Sequence, residues 1–200
     1  LIRQMDAIAR FFRFYCNWFI QVLRSLPPTM RFATEHENDL KEAEKLSEET
    51  VDNALKYKIC SALAYSNGTL GNYDESLKYA KKEYFYAKKL NNNSDIAYGL
   101  LRLSTCYKKI GMKDSSEFCI NECNKLVQYI NNDDKAFVYN LLGESFMSTD
   151  IDSAQKYFVS ALTHKKGSTV YKNLMEIYFA KNDSTAAKRY CDSALMLAWN

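Results

Sequence analysis

The sequence predicts an all-α protein: about four antiparallel helical hairpins stacked into an array, preceded by an N-terminal helical segment. The 200 residues include only 6 glycines and 2 prolines, too few for the many tight turns of a barrel or sandwich. From residue 38 onward, apolar residues recur at spacings of three and four, without the alternation typical of strands. The same residue types also return at matching offsets along the chain, which favours a repeat architecture.

Polar breaks rich in asparagine separate the predicted helices. Three of them lie at 91–95, 131–134 and 181–183. Asn and Asp favour turns and helix caps because their side chains compete for backbone hydrogen bonds. The predicted helices span 36–49, 52–69, 74–90, 95–110, 114–130, 134–147, 151–163, 168–180 and 184–198. The helix at 36–49 is interpreted as the second half of a degenerate earlier unit, and the others pair in order into four hairpins.

Four sets of positions align when the hairpins are superimposed on one leucine of each first helix. These leucines are Leu63, Leu103, Leu142 and Leu174. The residues directly after them are mostly small: Ala64, Ser104, Gly143 and Met175. Three positions later, mostly aromatic residues follow: Asn67, Tyr107, Phe146 and Tyr178. The turns carry Gly71, Gly111, Asp150 and Asn182. The second helices carry two further sets, seven residues apart: Ser76, Ser116, Ala154 and Ala187, then Glu83, Cys123, Ala161 and Ala194.

This recurrence has a physical reason. Small residues at facing positions let two antiparallel helices approach closely, and an aromatic side chain fills the adjacent gap. In the third unit, Gly143 is predicted to be the small residue that packs near Ala154, with 148–153 forming the turn. Each hairpin leaves an apolar face that the next hairpin covers, as in a solenoid. A compact, non-repetitive helical bundle is the alternative, but a bundle has no reason to repeat these offsets four times.

The aligned residues resemble the tetratricopeptide repeat, a helix–turn–helix unit of about 34 residues. The last unit carries Tyr171, Leu174, Tyr178, Ala187 and Ala194 at the motif positions, and the resemblance extends over residues 52–198. The first unit departs from the motif at Glu83, where a small residue is usual, and at Asn67, where tyrosine is usual. None of the four units has the closing proline of the motif. The resemblance implies a right-handed superhelical α-solenoid over 35–200, with units at about 52–90, 95–130, 134–163 and 168–198.

The resemblance also implies a ligand site in the concave groove lined by the first helix of each unit. Carried over position by position, the groove residues that we expect to bind are Tyr65, Tyr98, Leu101, Thr105, Lys108, Phe137, Asn140, Glu144, Met147, Lys172, Glu176 and Phe179. A protein or peptide ligand is the implied partner. A groove filled by the protein's own flanking segment stays open as an alternative.

Residues 1–34 differ in composition from the rest of the chain. They contain five Arg, no Lys and one acidic residue, whereas residues 35–200 contain 20 Lys, 2 Arg and 23 acidic residues. The segment 8–26 is aromatic and cationic. Three interpretations stay open: a helix that covers the end of the array, an amphipathic helix that contacts a partner or a membrane surface, and a segment foreign to the domain.

Residues with catalytic or metal-binding chemistry are sparse. The sequence has two histidines, isolated glycines and no nucleophile or phosphate-loop motif, so no enzymatic activity and no cofactor are predicted. His164 is expected to be a solvated loop residue. The six cysteines form no CxxC pair and are predicted to be buried or half-buried free thiols without a metal. Free thiols favour the cytoplasm, and an extracytoplasmic location stays open if the chain belongs to a membrane-bound regulator.

The predicted function is therefore a non-enzymatic protein- or peptide-binding scaffold. Lys- and Asn-rich arrays of this kind are similar to the sensor regions of bacterial regulators, which implies that the chain is the sensor or interaction part of a larger protein. A nucleic-acid-binding helical repeat is one alternative, but it requires a basic stripe, and only Lys108 and Lys109 lie together on the candidate groove. A helical-bundle domain with a structural or assembly role is the other alternative.

Overall fold

The computed structural model describes residue 39, residues 42–46 and residues 48–198, and all structural statements below concern those residues. The helices with complete bounds are α1 Asn53–Thr69, α2 Tyr73–Leu90, α3 Asn93–Lys109, α4 Lys113–Leu126, α5 Asn132–Phe146, α6 Ile151–His164, α7 Ser168–Ala180 and α8 Ser184–Ala198. Further helical residues precede α1 at 42–46 and 48–49, and no strand occurs in the described ranges. The predicted all-α fold is confirmed.

The helices pack as consecutive antiparallel pairs: α1 with α2, α3 with α4, α5 with α6, and α7 with α8. Neighbouring pairs also touch, because α3 contacts α1, α2 and α5. The buried apolar side chains form two clusters. The first runs from Ala43 through α1–α5 to Leu142, and the second joins α6 to α7 around Phe158 and Leu174. Tyr139 and Phe146 pack against both, so the core continues from one hairpin to the next.

The polar breaks cap the helices that follow them. Asn92 Oδ1 accepts a hydrogen bond from the amide of Ser94 at 3.0 Å, and Asn131 Oδ1 accepts one from the amide of Asp134 at 2.9 Å. Asp150 does the same at the start of α6. Each side-chain oxygen satisfies a backbone donor that the helix itself leaves unpaired. The predicted helix positions follow from these caps and differ from the observed bounds by two residues or fewer, except at the end of α4.

Helix α4 ends at Leu126, four residues before the predicted end, and continues as a short 3₁₀ helix over Val127–Tyr129. Ile130 is then extended, with φ −97° and ψ 149°. The chain has to leave the helix here because Asn131, in extended conformation, caps α5.

Three hairpin turns share one backbone arrangement. Gly71, Gly111 and Asn182 have positive φ angles of 82°, 84° and 60°. The amide after each one donates to a carbonyl at the end of the preceding helix: Asn72 N to Asn67 O at 2.9 Å, Met112 N to Tyr107 O at 2.8 Å, and Asp183 N to Tyr178 O at 2.9 Å. This left-handed helix end favours glycine because an L side chain is strained there.

The third hairpin turns without a left-handed residue. Asp150, at the position of those glycines, is extended with φ −149° and caps α6. Its amide donates to Phe146 O at 2.9 Å. Helix α6 begins five residues after Phe146, whereas α2 begins six after the equivalent Asn67. The 148–153 break is therefore a genuine but shorter turn.

Gly143 lies where α5 approaches α6 most closely. A Cβ added at this position would lie 2.5 Å from Cε1 of Phe158, whose side chain is fully buried. The ring of Phe158, one helical turn beyond Ala154 on α6, fills the space beside Gly143. Packing of Gly143 near Ala154 itself stays a prediction. A glycine is required because the ring lies directly on the α5 backbone.

The predictions for residues 1–34, including the helix covering the end of the array, lie outside the described residues. Within the described ranges, no helix is long and apolar enough to cross a membrane.

Candidate functional site

A cavity of about 690 Å³ lies between the first helices of the first three hairpins. The walls are formed by α1, α3 and α5. They carry several aromatic rings: Tyr57, Tyr65, Tyr98 and Phe137. Tyr98 and Phe137 meet edge to face with their centroids 5.2 Å apart, which joins α3 to α5 at one end of the cavity. A cavity of this volume with mostly apolar walls is typical of ligand sites.

The second helix of the first hairpin contributes a polar floor. Ser76 of α2 donates to the carbonyl of Ala64 in α1 at 2.7 Å, and its hydroxyl lies 3.2 Å from the thiol of Cys106 in α3. Ser104 pairs with Ser116 in the same way at 2.8 Å, between α3 and α4. The small residues recognised in the sequence therefore hold the helices together by hydrogen bonds as well as by close approach.

Glu83 is the charged residue of this floor. Its side chain is fully buried, and its Oε2 accepts a hydrogen bond from Nε of Arg102 in α3 at 2.7 Å. Burial raises the pKa of Glu83 above its ordinary value, although the guanidinium of Arg102 acts in the opposite direction. Arg102 also reaches the hydroxyl of Ser61 at 3.4 Å and lies 5.7 Å from the ring centroid of Tyr65. The pair links α1, α2 and α3 beneath the cavity.

Acidic side chains lie beside the aromatic end of the cavity. Asp134 of α5 accepts hydrogen bonds from Ser94 at 2.6 Å and from the hydroxyl of Tyr98 at 3.1 Å. These bonds, that of Ser94 foremost, hold the pKa of Asp134 below its ordinary value. Asp95 interacts with the Tyr57 hydroxyl, and burial raises the pKa of both groups. This end of the cavity therefore carries negative charge.

Lysines lie at the opposite end. Lys108 donates to the carbonyl of Ser145 at 2.8 Å and to the hydroxyl of Ser148 at 3.0 Å, which ties α3 to the end of α5. Lys109 lies 5.7 Å from the ring centroid of Tyr73. Because the first helices are parallel, acids at their N-termini and lysines at their C-termini also complement the helix dipoles.

The structure brings seven of the twelve predicted groove residues to this cavity: Tyr65, Tyr98, Leu101, Thr105, Lys108, Phe137 and Glu144. Whether they bind a ligand stays a prediction. The other five are Asn140, Met147, Lys172, Glu176 and Phe179, and none of them lines the cavity. Lys172 and Glu176 form an exposed pair at 3.7 Å, Met147 packs beside the second core cluster, and Phe179 is 75% exposed.

Asn140 is one of the five predicted residues that do not line the cavity. It was expected to face a ligand, yet it is buried, donates to Glu144 at 2.7 Å and accepts from Asn173 of α7 at 3.1 Å. The two asparagines link α5 to α7, whose residues do not line the cavity. Glu83 and Arg102, by contrast, line the cavity but were not predicted as site residues. The sequence did contain a signal for Glu83, because this acidic residue stands at a position where the motif has a small one.

The cysteines and His164 were also assessed from the sequence, and the structure places the five described cysteines and His164 in or beside the core. Four of the thiols, Cys60, Cys106, Cys119 and Cys123, are buried and Cys191 is half-buried, so the predicted burial of these five free thiols is confirmed. No group of three metal-binding side chains occurs among the described residues. His164 was expected in a solvated loop, and that was wrong: it ends α6, half-buried, and stacks on Tyr139 at 5.7 Å.

Comparisons with solved structures agree with this architecture. BtubC (BKLC) from P. vanneervenii superimposes with a TM-score of 0.62 at 22% identity, over 82% of this chain and 75% of BtubC. TTC0263, a thermophilic TPR protein of Thermus thermophilus, superimposes with a TM-score of 0.60 at 16% identity, over 84% of this chain and 85% of TTC0263. No protein-family profile matches the sequence, and no curated protein matches it by sequence. The likeness therefore shows the fold alone.

Proposed function

We propose that this chain, which has a tetratricopeptide-like helical-repeat fold, is a non-enzymatic scaffold that binds a peptide segment of a partner protein in the cavity between α1, α3 and α5. One observation carries the proposal: aromatic and polar side chains from three successive repeats line one continuous cavity of about 690 Å³. Aromatic anchors in a pocket with a polar rim are the arrangement that most often dominates peptide and protein recognition.

The charges around the cavity favour a peptide over a nucleic acid. A nucleic-acid site needs a continuous basic surface that tracks phosphates. Here Lys108 and Lys109 at one end are balanced by Asp95 and Asp134 near the other. A peptide backbone with mixed side chains suits such a surface, whereas a polyanion would meet the carboxylates.

We further propose that this chain is the sensor or interaction part of a larger bacterial regulatory protein. Its support is the sequence resemblance to the sensor regions of such regulators. A photo-crosslinking amino acid at Thr105, an exposed position on the cavity, is expected to capture a signalling protein in cells. Capture of only proteins unconnected to regulation would count against this extension.

The binding site is tested with peptides selected on the full chain from a random display library. Affinities are then measured for the unmodified chain and for Tyr98→Ala, Thr105→Trp and Phe118→Ala. Tyr98→Ala removes an aromatic wall, and Thr105→Trp fills the cavity from an exposed position. Phe118 is 63% exposed on α4, outside the cavity, and serves as the matched control. We expect at least about tenfold weaker binding for the first two variants only. Equal affinity for all four proteins would refute the site.

A further inference from the structure

Glu83 breaks the repeat pattern at a buried position. The equivalent residues of the second and third units are Cys123 and Ala161, which are small, apolar and fully buried. Glu83 is equally buried but carries a carboxylate. A charged residue in a repeat core is destabilising unless it is fully paired. Sites where a chain departs from its own local pattern are often functional.

The carboxylate is only half satisfied. Arg102 donates to Oε2 at 2.7 Å, but Oε1 is buried and has no hydrogen-bond partner among the described residues. Among the described residues, no other buried side-chain oxygen or nitrogen lacks a hydrogen-bond partner. Nη2 of Arg102 points to the hydroxyl of Ser61 at 3.4 Å, and that hydroxyl also lowers the pKa of Glu83, but neither group bonds to Oε1. Since Glu83 lines the cavity, the cavity is the direction from which a donor can arrive. A buried acceptor without a donor is destabilising, and supplying the donor is favourable.

The charges around Oε1 favour a positive donor. Arg102 alone would neutralise Glu83. However, Asp95 acts electrostatically on Glu83, and Asp134 on Asp95, so three carboxylates at the aromatic end of the cavity face two cations, Arg102 and the exposed Lys58. Tyr57 and Tyr98 stand beside these acids as cavity walls. Tyrosine faces attract cations, and they also pack on the aliphatic stems of basic side chains.

We propose that the cavity binds a basic side chain, arginine or lysine, of the bound peptide, with its N–H donating to Oε1 of Glu83 and its stem between Tyr57 and Tyr98. This assignment rests on the proposed peptide-binding function and specifies its partner. Because Glu83 is fully covered, the entering group displaces a neighbouring side chain to reach it. Such a bond joins a charged donor to a charged, desolvated acceptor, the strongest kind of hydrogen bond in proteins.

The test uses cavity-binding peptides selected on the full chain from the random display library. Each selected arginine is replaced by citrulline, its neutral isostere, and each selected lysine by norleucine. Both forms are titrated against the unmodified chain, Glu83→Gln and the control Glu117→Gln, an exposed residue of α4 outside the cavity. We expect one basic position to recur in the peptides. Its neutralisation should weaken binding to the unmodified chain and to Glu117→Gln about tenfold or more, but Glu83→Gln by less than about twofold.

Two results would overturn the inference. One is that the selected peptides share no basic residue, and the other is that the basic and neutral forms bind the unmodified chain equally well. The latter comparison needs no variant protein, so it stands even if Glu83→Gln does not fold. If Tyr98→Ala and Thr105→Trp still weaken those peptides, the cavity remains the binding site and only the basic-side-chain assignment fails. If neither variant weakens them, the proposed function fails as well.

Discussion

The ring of Phe158 in α6 occupies the space that any side chain at Gly143 in α5 would need. A Cβ at Gly143 would lie 2.5 Å from Cε1 and 2.7 Å from Cδ1 of that ring. Phe158 is fully buried and belongs to the second core cluster, so it has little room to withdraw. The contact fixes how closely the two helices of the third hairpin approach.

Gly143→Leu is predicted to destabilise the protein by about 1–3 kcal/mol through overpacking. The free energy of unfolding is measured by urea denaturation. The control introduces the same residue at an exposed position of α4, Glu117→Leu, which should have little effect. Gly143→Ala combined with Phe158→Leu should lose less than the sum of the two single variants, because leucine leaves room for the added methyl group. An unchanged denaturation midpoint for Gly143→Leu would contradict the hairpin packing.

Arg102→Met is predicted to destabilise the protein by about 3 kcal/mol at neutral pH. This is the low end for a broken buried pair, since the Arg102 side chain is 24% exposed. The loss arises because the buried Glu83 loses its cation and must then either hold an unpaired charge or take up a proton. Adding Glu83→Gln to Arg102→Met should restore part of the stability. A double variant no more stable than the single one would show that Arg102 acts by packing alone.

The stability of Arg102→Met relative to the unmodified chain should depend on pH. The folded pKa of Glu83 is raised above its ordinary value of 4.5. The stability linked to this group is therefore complete below that value and is lost as pH rises through the folded pKa. Removing Arg102 removes the charge that lowers this pKa, so the pKa should rise further. Between about pH 7 and about pH 5, Arg102→Met should regain stability relative to the unmodified chain, as measured by denaturation at each pH. A constant difference would contradict this reasoning.

Gly111→Ala is predicted to destabilise the second hairpin by about 1–2 kcal/mol, because φ is 84° and L residues are strained there. No atom lies within 4 Å of the added methyl group, so the loss is one of backbone conformation alone. Gly111→Asn should be less harmful than Gly111→Ala, since Asn182 adopts the same conformation in the fourth hairpin. Thermal denaturation of both variants tests this, and equal losses would count against it.

The buried thiols are predicted to be unreactive while the protein is folded. Burial raises the pKa of Cys60 to about 11 and that of Cys123 to about 12, which suppresses the reactive thiolate. In a Cys16→Ser background, a chromogenic disulfide reagent at about pH 8 should label Cys191 rapidly and the other four thiols only in denaturant. Rapid modification of Cys123 without denaturant would show that the core around α4 opens far more readily than its packing indicates.

The fold was predictable from the sequence to within a few residues because its determinants are local. Asn92, Asn131 and Asp150 each cap the helix that follows with their own side chain. Gly71 and Gly111 mark turns for equally local reasons. The contact of Gly143 with Phe158 was not predicted, because offsets within a unit do not say which side chain of the second helix lies on a given residue of the first.

The candidate site was predictable only in part. The motif positions brought Tyr65, Leu101 and Thr105 to one cavity because stacking repeats face one way. The burial of Asn140 was not predictable, because this residue bonds to Asn173, one repeat away. The pairing of Glu83 with Arg102 is likewise a contact between repeats, which no offset within one unit reveals.

Binding of a partner peptide between the first helices α1, α3 and α5 is best tested by NMR chemical-shift mapping. The full chain is titrated with a peptide selected on it. We expect the largest shifts at residues such as Tyr65, Leu101, Thr105 and Glu144, which line the cavity. Largest shifts around Phe85 and Phe118, or around Leu195 and Met196, exposed apolar residues outside the cavity, would contradict binding between these helices.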